Sequence, residues 1–294
     1  MKKLINITVG IPTRYAGNSL LKTVETIFAS NITNIRCIIV ADNIPVSYSL
    51  RKKLEKLGAE VYWNPKPGSQ FKKLKQIINK TDTDLFIFTQ DDITFKPDTI
   101  SEIIKTFSKN PSVTMVGSRI LPLAPVTLFE KSMTSMVRII DRVSGKWNKG
   151  RNYLTASGRC ISFRTKLLKK FIIREQIVNG DMYLYLENKR LGGEIMRAGK
   201  SKVYIRCPQS INDQIGPSSR YQFSETELKK YFDFDIKPEY HIPFFVLVRA
   251  TITELILHPR SALLYFFIFI YTRIKRQPYH TISPIWKIDV STKK

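Results

Sequence analysis

Short apolar runs alternate with longer amphipathic stretches over the first 120 residues, and this alternation constrains the fold more than any other feature of the chain. The apolar runs have the length and β-branched content of strands and lie at residues 5–11, 36–41, 60–63, 85–89 and 114–118. The stretches between them have helical periodicity and lie at residues 19–30, 46–57, 70–79 and 98–107. Strands that alternate with helices form βαβ units, so the sequence predicts an α/β fold with a mainly parallel, Rossmann-like sheet flanked by helices.

Polar clusters follow four of the predicted strands. They are residues 12–14, 41–43, 64–68 and 90–92. Right-handed crossovers place the carboxyl ends of parallel strands along one edge of the sheet, which is where open α/β sheets bind ligands. The sequence therefore predicts a binding crevice at this edge.

Two adjacent carboxylates, Asp91 and Asp92, follow the strand at residues 85–89. Neighbouring carboxylates repel each other unless a cation or hydrogen-bond donors hold them, and a divalent metal that bridges a diphosphate is one explanation. The alternative is a helix N-cap beside the turn at residues 97–98. Neither the G-x-G-x-x-G signature nor the P-loop signature is found, so a classical dinucleotide fold and a P-loop hydrolase are both disfavoured.

The chain has 294 residues with a formal net charge of +24, and 43% of them are hydrophobic, enough for a substantial core. Such a positive charge suits a polyanionic partner, although it also serves solubility alone. The three cysteines have no paired spacing, which favours a reduced, cytosolic setting, and the three histidines form no metal-ligand cluster. The apolar run near the N-terminus is too short and too polar for a signal peptide, and it fits a first strand.

The second half is less regular. Residues 121–160 are strongly basic and give no clear periodicity, and a strand at 160–163 then leads into a helix at 165–171. A second helix at 182–191 follows Asp181 and ends at two glycines. By position alone, Asp181 is also explained as a helix cap.

Two apolar stretches near the C-terminus, residues 244–257 and 261–272, are each shorter than the roughly 20 residues that a bilayer-spanning helix needs. Basic residues flank the second stretch. We expect two short helices that lie in the headgroup region of a membrane, the alternative being a helical hairpin packed on a soluble core. The predicted division is a catalytic domain at residues 1–225 and a helical, membrane-associating region at 226–294.

The order and spacing of several motifs resemble those of the family 2 glycosyltransferases. The first half contributes TVGIPT at residues 8–13, IIVADN at 38–43, WNPKPG at 63–68 and FTQDDITFKPD at 88–98. The second half contributes the Gly…Phe-Arg segment that starts at residue 157, the Gly-Asp…Gly segment at 180–192 and GPSSRY at 216–221. The resemblance covers about residues 4–225 and implies the GT-A fold.

Three positions depart from the family pattern. Gln90 takes the place of the first aspartate of the Asp-x-Asp motif, Gly180 that of a glutamate, and Pro217 that of a glutamine. Two literal Asp-x-Asp strings, at residues 82–84 and 233–235, are rejected because the first precedes its strand and the second lies beyond the core pattern.

The resemblance implies an inverting transfer of a sugar from a nucleotide sugar, with Asp181 as the catalytic base and Asp92 as the ligand of Mn²⁺ or Mg²⁺. It places Gly158 and Arg159 on the acceptor side. The implied donor-binding residues are Pro12, Thr13, Arg14, Asp42, Gly68, Gln90, Asp91 and Arg220, with Asp42 at the base and Arg220 at the diphosphate.

The expected partners are a nucleotide-sugar donor, a lipid-linked or glycan acceptor of cell-envelope synthesis and an anionic membrane surface, with no nucleic acid. The expected location is the cytoplasmic face of the cell membrane, peripheral or monotopic. Three alternatives stay open at this point. They are a basic nucleic-acid-binding protein, a nucleotidyltransferase on a similar sheet and a catalytically inactive sugar-nucleotide-binding relative.

Overall fold

The structure is a computed structural model that describes residues 5–285 of the chain. The outer ends of the two predicted regions, residues 1–4 and 286–294, lie outside the described residues. The five predicted strands and four predicted helices of the first half are confirmed, with bounds that differ by up to four residues. They are β1 (Ile7–Thr13), α1 (Asn18–Phe28), β2 (Ile35–Asp42), α2 (Tyr48–Lys56), β3 (Ala59–Asn64), α3 (Gln70–Lys80), β4 (Leu85–Thr89), α4 (Thr99–Lys109) and β6 (Val113–Pro122), and the short β5 (Ile93–Phe95) precedes α4.

The strands form one eight-stranded sheet in the order β3-β2-β1-β4-β7-β6-β8-β5. β1 to β4 are parallel, as predicted, and the register pairs Thr13 with Ala41 and Gly10 with Phe88. β7 (Cys160–Arg164) runs antiparallel between β4 and β6, so the sheet is mixed. β8 (Glu194–Ile205) pairs in parallel with β6 and antiparallel with β5.

Helices cover both faces of this sheet. One core cluster packs the first face against α1, α2, α4 and α5 (Leu128–Lys146), and the other packs the second face against α3, α6 (Thr165–Leu168) and α7 (Gly180–Arg190). Because both faces are covered, the central strands read as continuous apolar runs, and all seven residues of β1 are buried.

Residues 121–160 are not irregular as the sequence suggested, because α5 supplies 19 helical residues there. Thr127 accepts a hydrogen bond from the backbone N–H of Glu130, and the Glu130 carboxylate accepts one from the N–H of Val126. This reciprocal capping starts the helix. Short 3₁₀ turns follow at Trp147–Gly150 and Tyr153–Thr155.

The predicted helix after Asp181 is α7, and Gly192 just beyond it has φ +72°, the left-handed conformation that ends a helix. The chain continues through α8 (Ile211–Gln222), α9 (Ser224–Leu228) and α10 (Lys237–Tyr240). Two apolar helices follow, α11 (Phe244–Leu257) and α12 (Pro259–Ile274), and both pack on α5. A last 3₁₀ turn occupies Tyr279–Thr281.

α11 alone has 14 residues, which is short of spanning length, as the sequence suggested. Together with α10, however, the stretch Lys237–Leu257 has 21 residues and contains an 18-residue window with a mean hydropathy of 1.4, which is long and apolar enough to cross a bilayer. This criterion concerns length and composition only.

Candidate active site

The carboxyl ends of β1, β2 and β4 meet at one edge of the sheet. β1 ends at the buried Pro12 and Thr13, and Arg14 follows it. β2 ends at Asp42, and Gln90 follows β4 at the same edge, half-buried. The structure therefore brings these predicted residues to one edge of the sheet, the place of the predicted crevice.

Asp42 is held by a buried ion pair that the sequence analysis did not foresee. Its Oδ2 accepts a hydrogen bond from Lys73 Nζ at 2.6 Å and another from the Gly68 backbone N–H at 2.7 Å. Lys73 Nζ also donates to the Gly68 carbonyl at 3.1 Å. The side chains are 1% and 5% exposed, so the pair is held rigidly inside the protein. Among the described residues, Asp42 Oδ1 has no hydrogen-bond partner, which leaves it to accept an N–H donor.

Asp91 belongs to the same cluster. The hydroxyl of Thr13 donates to Asp91 Oδ2, and Asp91 is 4% exposed. Burial lowers the pKa of Lys73, Asp42 raises it, and the charges of Arg14 and Asp91 act on it as well. These residues therefore form one charged cluster at the β1–β2 side of the crevice.

Asp181 lies in the first turn of α7 against Gly158. The Gly158 backbone donates a hydrogen bond to its carboxylate. A Cβ on residue 158 would lie 2.4 Å from Asp181 Oδ1 and 3.0 Å from the ring of Phe88, so only glycine fits without displacing a neighbour. Since Phe88 belongs to β4, the contact brings Asp181 to the strand that leads into Asp92.

Arg159 connects the two halves of the crevice. Its carbonyl accepts a hydrogen bond from Thr89, the last residue of β4, at 2.7 Å. Burial lowers the pKa of the Arg159 guanidinium, but Tyr221, Asp181 and Asp92 raise it above its ordinary value. The carboxylates of Asp181 and Asp92 thus act on the same guanidinium, although 88 residues of sequence separate them.

Asp181 has the electrostatics of a proton acceptor. Burial raises its pKa above the ordinary value, while the Gly158 hydrogen bond and the charges of Arg159 and Arg220 lower it. Arg220 comes from α8, and its own pKa is lowered by burial and raised by Tyr221 and Asp181. The positive charges of Arg159 and Arg220 therefore stabilise the ionised form of a carboxylate that is buried away from water.

The glycine that replaces a family glutamate has a packing reason. A Cβ on Gly180 would lie 2.3 Å from the ring of Phe71, which fills that space from the first turn of α3. The ring of Phe71 is itself packed edge-on against Tyr183. A glutamate at position 180 would require Phe71 to move.

Metal ligands are few in the crevice. Within residues 5–285, no group of three or more His, Cys, Asp or Glu side chains is placed to hold a metal ion. This donor set still fits Mg²⁺ or Mn²⁺, because such ions are typically held by one or two carboxylates with substrate phosphates as the remaining ligands. Asp92 is the carboxylate that the sequence predicts for that role, and its neighbour Asp91 accepts a hydrogen bond from Thr13.

The two rejected Asp-x-Asp strings lie away from the crevice. Asp84 accepts a hydrogen bond from the Asn6 N–H before β1, and Asp82 pairs with Arg36 at the start of β2. Both lie at the amino-terminal edge of the sheet, as the sequence predicted. Asp235 caps the backbone N–H of Lys237 beyond α9.

Comparisons with known proteins agree with the fold. A mannosyltransferase from Pyrobaculum calidifontis, PcManGT, solved in complex with GDP-Man and Mn²⁺, has a TM-score of 0.63 at 11% identity, over 93% of this chain and 87% of that chain. This likeness confirms the predicted GT-A architecture. A search of curated proteins finds no match.

The sequence model of glycosyl transferase family 2 matches residues 8–172, which is more than half of the chain. The match includes β1 from its second residue to its carboxyl end, the aspartate of β2, the strand end that leads into Asp92, and Gly158 with Arg159. The protein is thus a glycosyltransferase, and it belongs to glycosyl transferase family 2.

Proposed function

We propose that this glycosyltransferase moves a sugar from a nucleoside-diphosphate sugar to a hydroxyl of a glycan or lipid-linked acceptor, with inversion at the anomeric carbon. The observation that carries the proposal is the set of contacts that brings Asp181 to the end of β4: Gly158 donates to the Asp181 carboxylate, and the next residue, Arg159, accepts from Thr89, three positions before Asp92. An inverting transfer needs a base on the acceptor side and a group that stabilises the leaving diphosphate on the donor side.

The nucleotide end of the donor is assigned to the Asp42 cluster. The unpartnered Asp42 Oδ1 would accept an N–H of the base, while Lys73 and Gly68 hold the carboxylate in place. Pro12, Thr13 and Arg14 line the adjacent strand end, and Arg14 supplies positive charge. PcManGT was solved with GDP-Man, so GDP-mannose is the first donor to test.

The diphosphate is assigned to the region between Gln90, Asp92 and Arg220. A divalent cation bound by Asp92 would neutralise charge on the departing diphosphate. The Arg220 guanidinium is a planar donor that matches paired phosphate oxygens; the charge of Asp181 stabilises it, and the like charge of Arg159 opposes it. Gln90 would contribute a hydrogen bond without charge.

The acceptor hydroxyl is assigned to the space beside Asp181, Gly158 and Arg159. The Asp181 carboxylate would take the hydroxyl proton as the oxygen attacks the anomeric carbon. Its raised pKa makes it a stronger base than a solvated aspartate. We place the reaction in cell-envelope glycan synthesis at the cytoplasmic face of the membrane, supported by the apolar C-terminal helices and the charge of +24.

The test compares Asp181→Asn, Asp92→Ala and the exposed control Asp233→Asn. Donor binding is read as a thermal shift with nucleotide sugars and Mn²⁺, because a ligand of the folded state raises its apparent stability. Transfer is read as release of the nucleoside diphosphate. Asp181→Asn should abolish transfer and retain donor binding, Asp92→Ala should weaken the Mn²⁺-dependent binding, and the control should behave as wild type. Substantial turnover by Asp181→Asn would remove the proposed base.

Asp181→Asn also carries a stability prediction. A folded-state pKa above the unfolded value means that ionising Asp181 costs stability as the pH rises through the window between the two. At neutral pH the neutral asparagine should therefore unfold at the same temperature as wild type or higher. A lower unfolding temperature would show that the ionised carboxylate stabilises the fold.

A further inference from the structure

In the hairpin formed by α11 and α12, small or polar side chains are buried and large apolar side chains are exposed, which is the reverse of a helix on a soluble protein. Its buried side chains are small or polar, and they are Ala250, Glu254, Ser261, Ala262 and Thr272, while the larger Val246, Tyr265 and Ile268 are only partly buried against the core. Its large apolar side chains face outward, including Phe245 at 84%, Ile256 at 73% and Phe267 at 70% exposure. Small and polar residues at helix contacts, with large apolar residues outside, are the pattern of helices that have lipid around them.

The apolar surface continues onto the catalytic domain. Val126, in the turn before α5, and Leu128, the first residue of α5, are 68% and 70% exposed. The preceding residues 122–125 line a cavity together with His258 and Ser261 from the hairpin turn. The exposed apolar side chains therefore come from two distant parts of the sequence, and contiguous apolar patches of this kind mark interaction sites.

That cavity is basic. It measures about 330 Å³, and Lys131, Arg138 and His258 line it with the hydroxyl-bearing Thr134 and Ser261. Part of the charge of Arg138 is balanced, because its Nε donates to Glu254 at 2.8 Å. Lys131 and His258 are exposed. A basic cavity with apolar residues around it fits an anionic phosphate headgroup whose acyl chains remain in the bilayer.

Several features favour insertion into one leaflet over a membrane span. The 16 residues of α12 extend about 24 Å, less than the roughly 30 Å hydrocarbon core. Exposed basic residues lie at both of its ends, Arg260 at the start and Arg273, Lys275 and Arg276 at the other. This arrangement suits a helix parallel to the membrane surface.

The stretch Lys237–Leu257 passes the length criterion for a span, but it is not one continuous helix, because the helix is interrupted between Tyr240 and Phe244. Two ion pairs also hold it to the protein. The fully buried Glu254 accepts from Arg138 and, at 2.5 Å, from Arg142 of α5. A spanning α11 would break this ion pair or take three charges into lipid.

We propose that the α11–α12 hairpin, the turn at residues 125–128 and the basic cavity between them form one membrane-binding surface. It inserts its apolar side chains into a single leaflet and binds the phosphate headgroup of an anionic phospholipid. The Glu254 ion pairs fix the hairpin to α5, so the catalytic crevice keeps one orientation to the bilayer. This surface rests on the membrane location given in the proposed function and adds how the chain would bind there.

The test is flotation of the full-length chain with phosphatidylcholine vesicles that contain or lack phosphatidylglycerol. Wild type should float with the anionic vesicles. The double variant Phe245→Ser, Phe267→Ser should bind both kinds of vesicle about tenfold or more weakly, because two large apolar side chains no longer enter the leaflet. The matched control is Tyr48→Ser, an aromatic residue on α2 that is 76% exposed.

The cavity is tested by Lys131→Gln, with Lys56→Gln on α2 as its exposed control. Lys131→Gln should weaken binding about fivefold, and only to vesicles with phosphatidylglycerol, since a basic residue near an anionic surface contributes about 1 kcal/mol. Inorganic phosphate alone should not give a thermal shift that depends on Lys131. Such a shift, with flotation independent of Lys131, would assign the cavity to a soluble anion and overturn the headgroup site.

Other outcomes would overturn the surface itself. These are a wild-type chain that does not float, a double variant that floats as wild type does, a discrete dimer that forms through this face and excludes vesicles, and protease sites of the hairpin accessible from both sides of a vesicle. Donor binding in solution is measured in parallel for every variant. A wild-type chain that binds a nucleotide sugar but does not float refutes only the membrane surface, whereas a wild-type chain that floats but binds no nucleotide sugar refutes the proposed function.

Discussion

Replacing Gly158 by alanine should displace the carboxylate of Asp181 and leave the nucleotide end of the crevice unchanged. The new Cβ would lie 2.4 Å from Asp181 Oδ1, and ordinary contacts begin at 3.4 Å, so the carboxylate must move by about 1 Å. A misplacement of about 1 Å in a catalytic group costs on the order of 100-fold in rate. This corresponds to about 2.7 kcal/mol of transition-state stabilisation.

The assay measures kcat for nucleoside diphosphate release together with the thermal shift caused by the donor and Mn²⁺. We expect kcat of Gly158→Ala to fall about 100-fold while donor binding stays close to wild type. Gly199→Ala is the matched control, because nothing lies within 4 Å of a Cβ at that position. A folded Gly158→Ala variant with wild-type kcat would refute the placement of the base.

Three further substitutions separate charge effects on the reaction from effects on folding. Arg159→Met removes a positive charge that lowers the pKa of Asp181, which burial already raises above its ordinary value of 3.8. The acid limb of the kcat–pH profile should therefore move to higher pH. An unchanged acid limb would contradict the assignment of Asp181 as the base. Lys73→Met leaves the buried Asp42 carboxylate uncompensated and should lower the free energy of unfolding in urea by about 3–5 kcal/mol, most of it regained on adding Asp42→Asn. Glu254→Gln should cost about 2 kcal/mol, because its arginine partners are about a quarter exposed and regain water, and it should speed limited proteolysis of the hairpin.

The first half of the fold was predictable because burial and periodicity agree there. β1, β2 and β4 are buried on both faces and read as unbroken apolar runs, while the helices between them show one apolar face. Strand order along the chain then determines which polar residues share an edge. Thr13, Asp42 and Asp92 could be grouped for this reason without any knowledge of side-chain contacts.

α5 and β8 were missed, and both combine apolar with polar or charged residues that have tertiary partners. α5 buries Glu130, Ser132 and Ser135 beside Met133 and Val137, so its inner face is partly polar. β8 contains Arg197, which binds Asp141 of α5, and its register with β6 shifts between Ser118 and Arg119. Such elements are stabilised by tertiary partners that local sequence does not indicate.

Lys73 was missed for a related reason. It lies in an amphipathic helix among other lysines, and nothing in its spacing distinguishes a buried lysine from a solvated one. Its burial depends on Asp42, which is 31 residues away in sequence and adjacent only in the folded protein. Gly180, in contrast, was recognised as a departure from the family pattern, but only the ring of Phe71 explains it.

The first turn of α3 contacts both of the proposed binding regions. Phe71 fills the space beside Gly180, the residue before Asp181, and Lys73 two positions later holds Asp42. Arrival of a nucleotide should therefore stiffen the segment that aims Asp181 before an alcohol is present. We expect an ordered kinetic sequence with the nucleotide sugar first, visible as product inhibition by the nucleoside diphosphate that is competitive against the sugar donor and not against the acceptor.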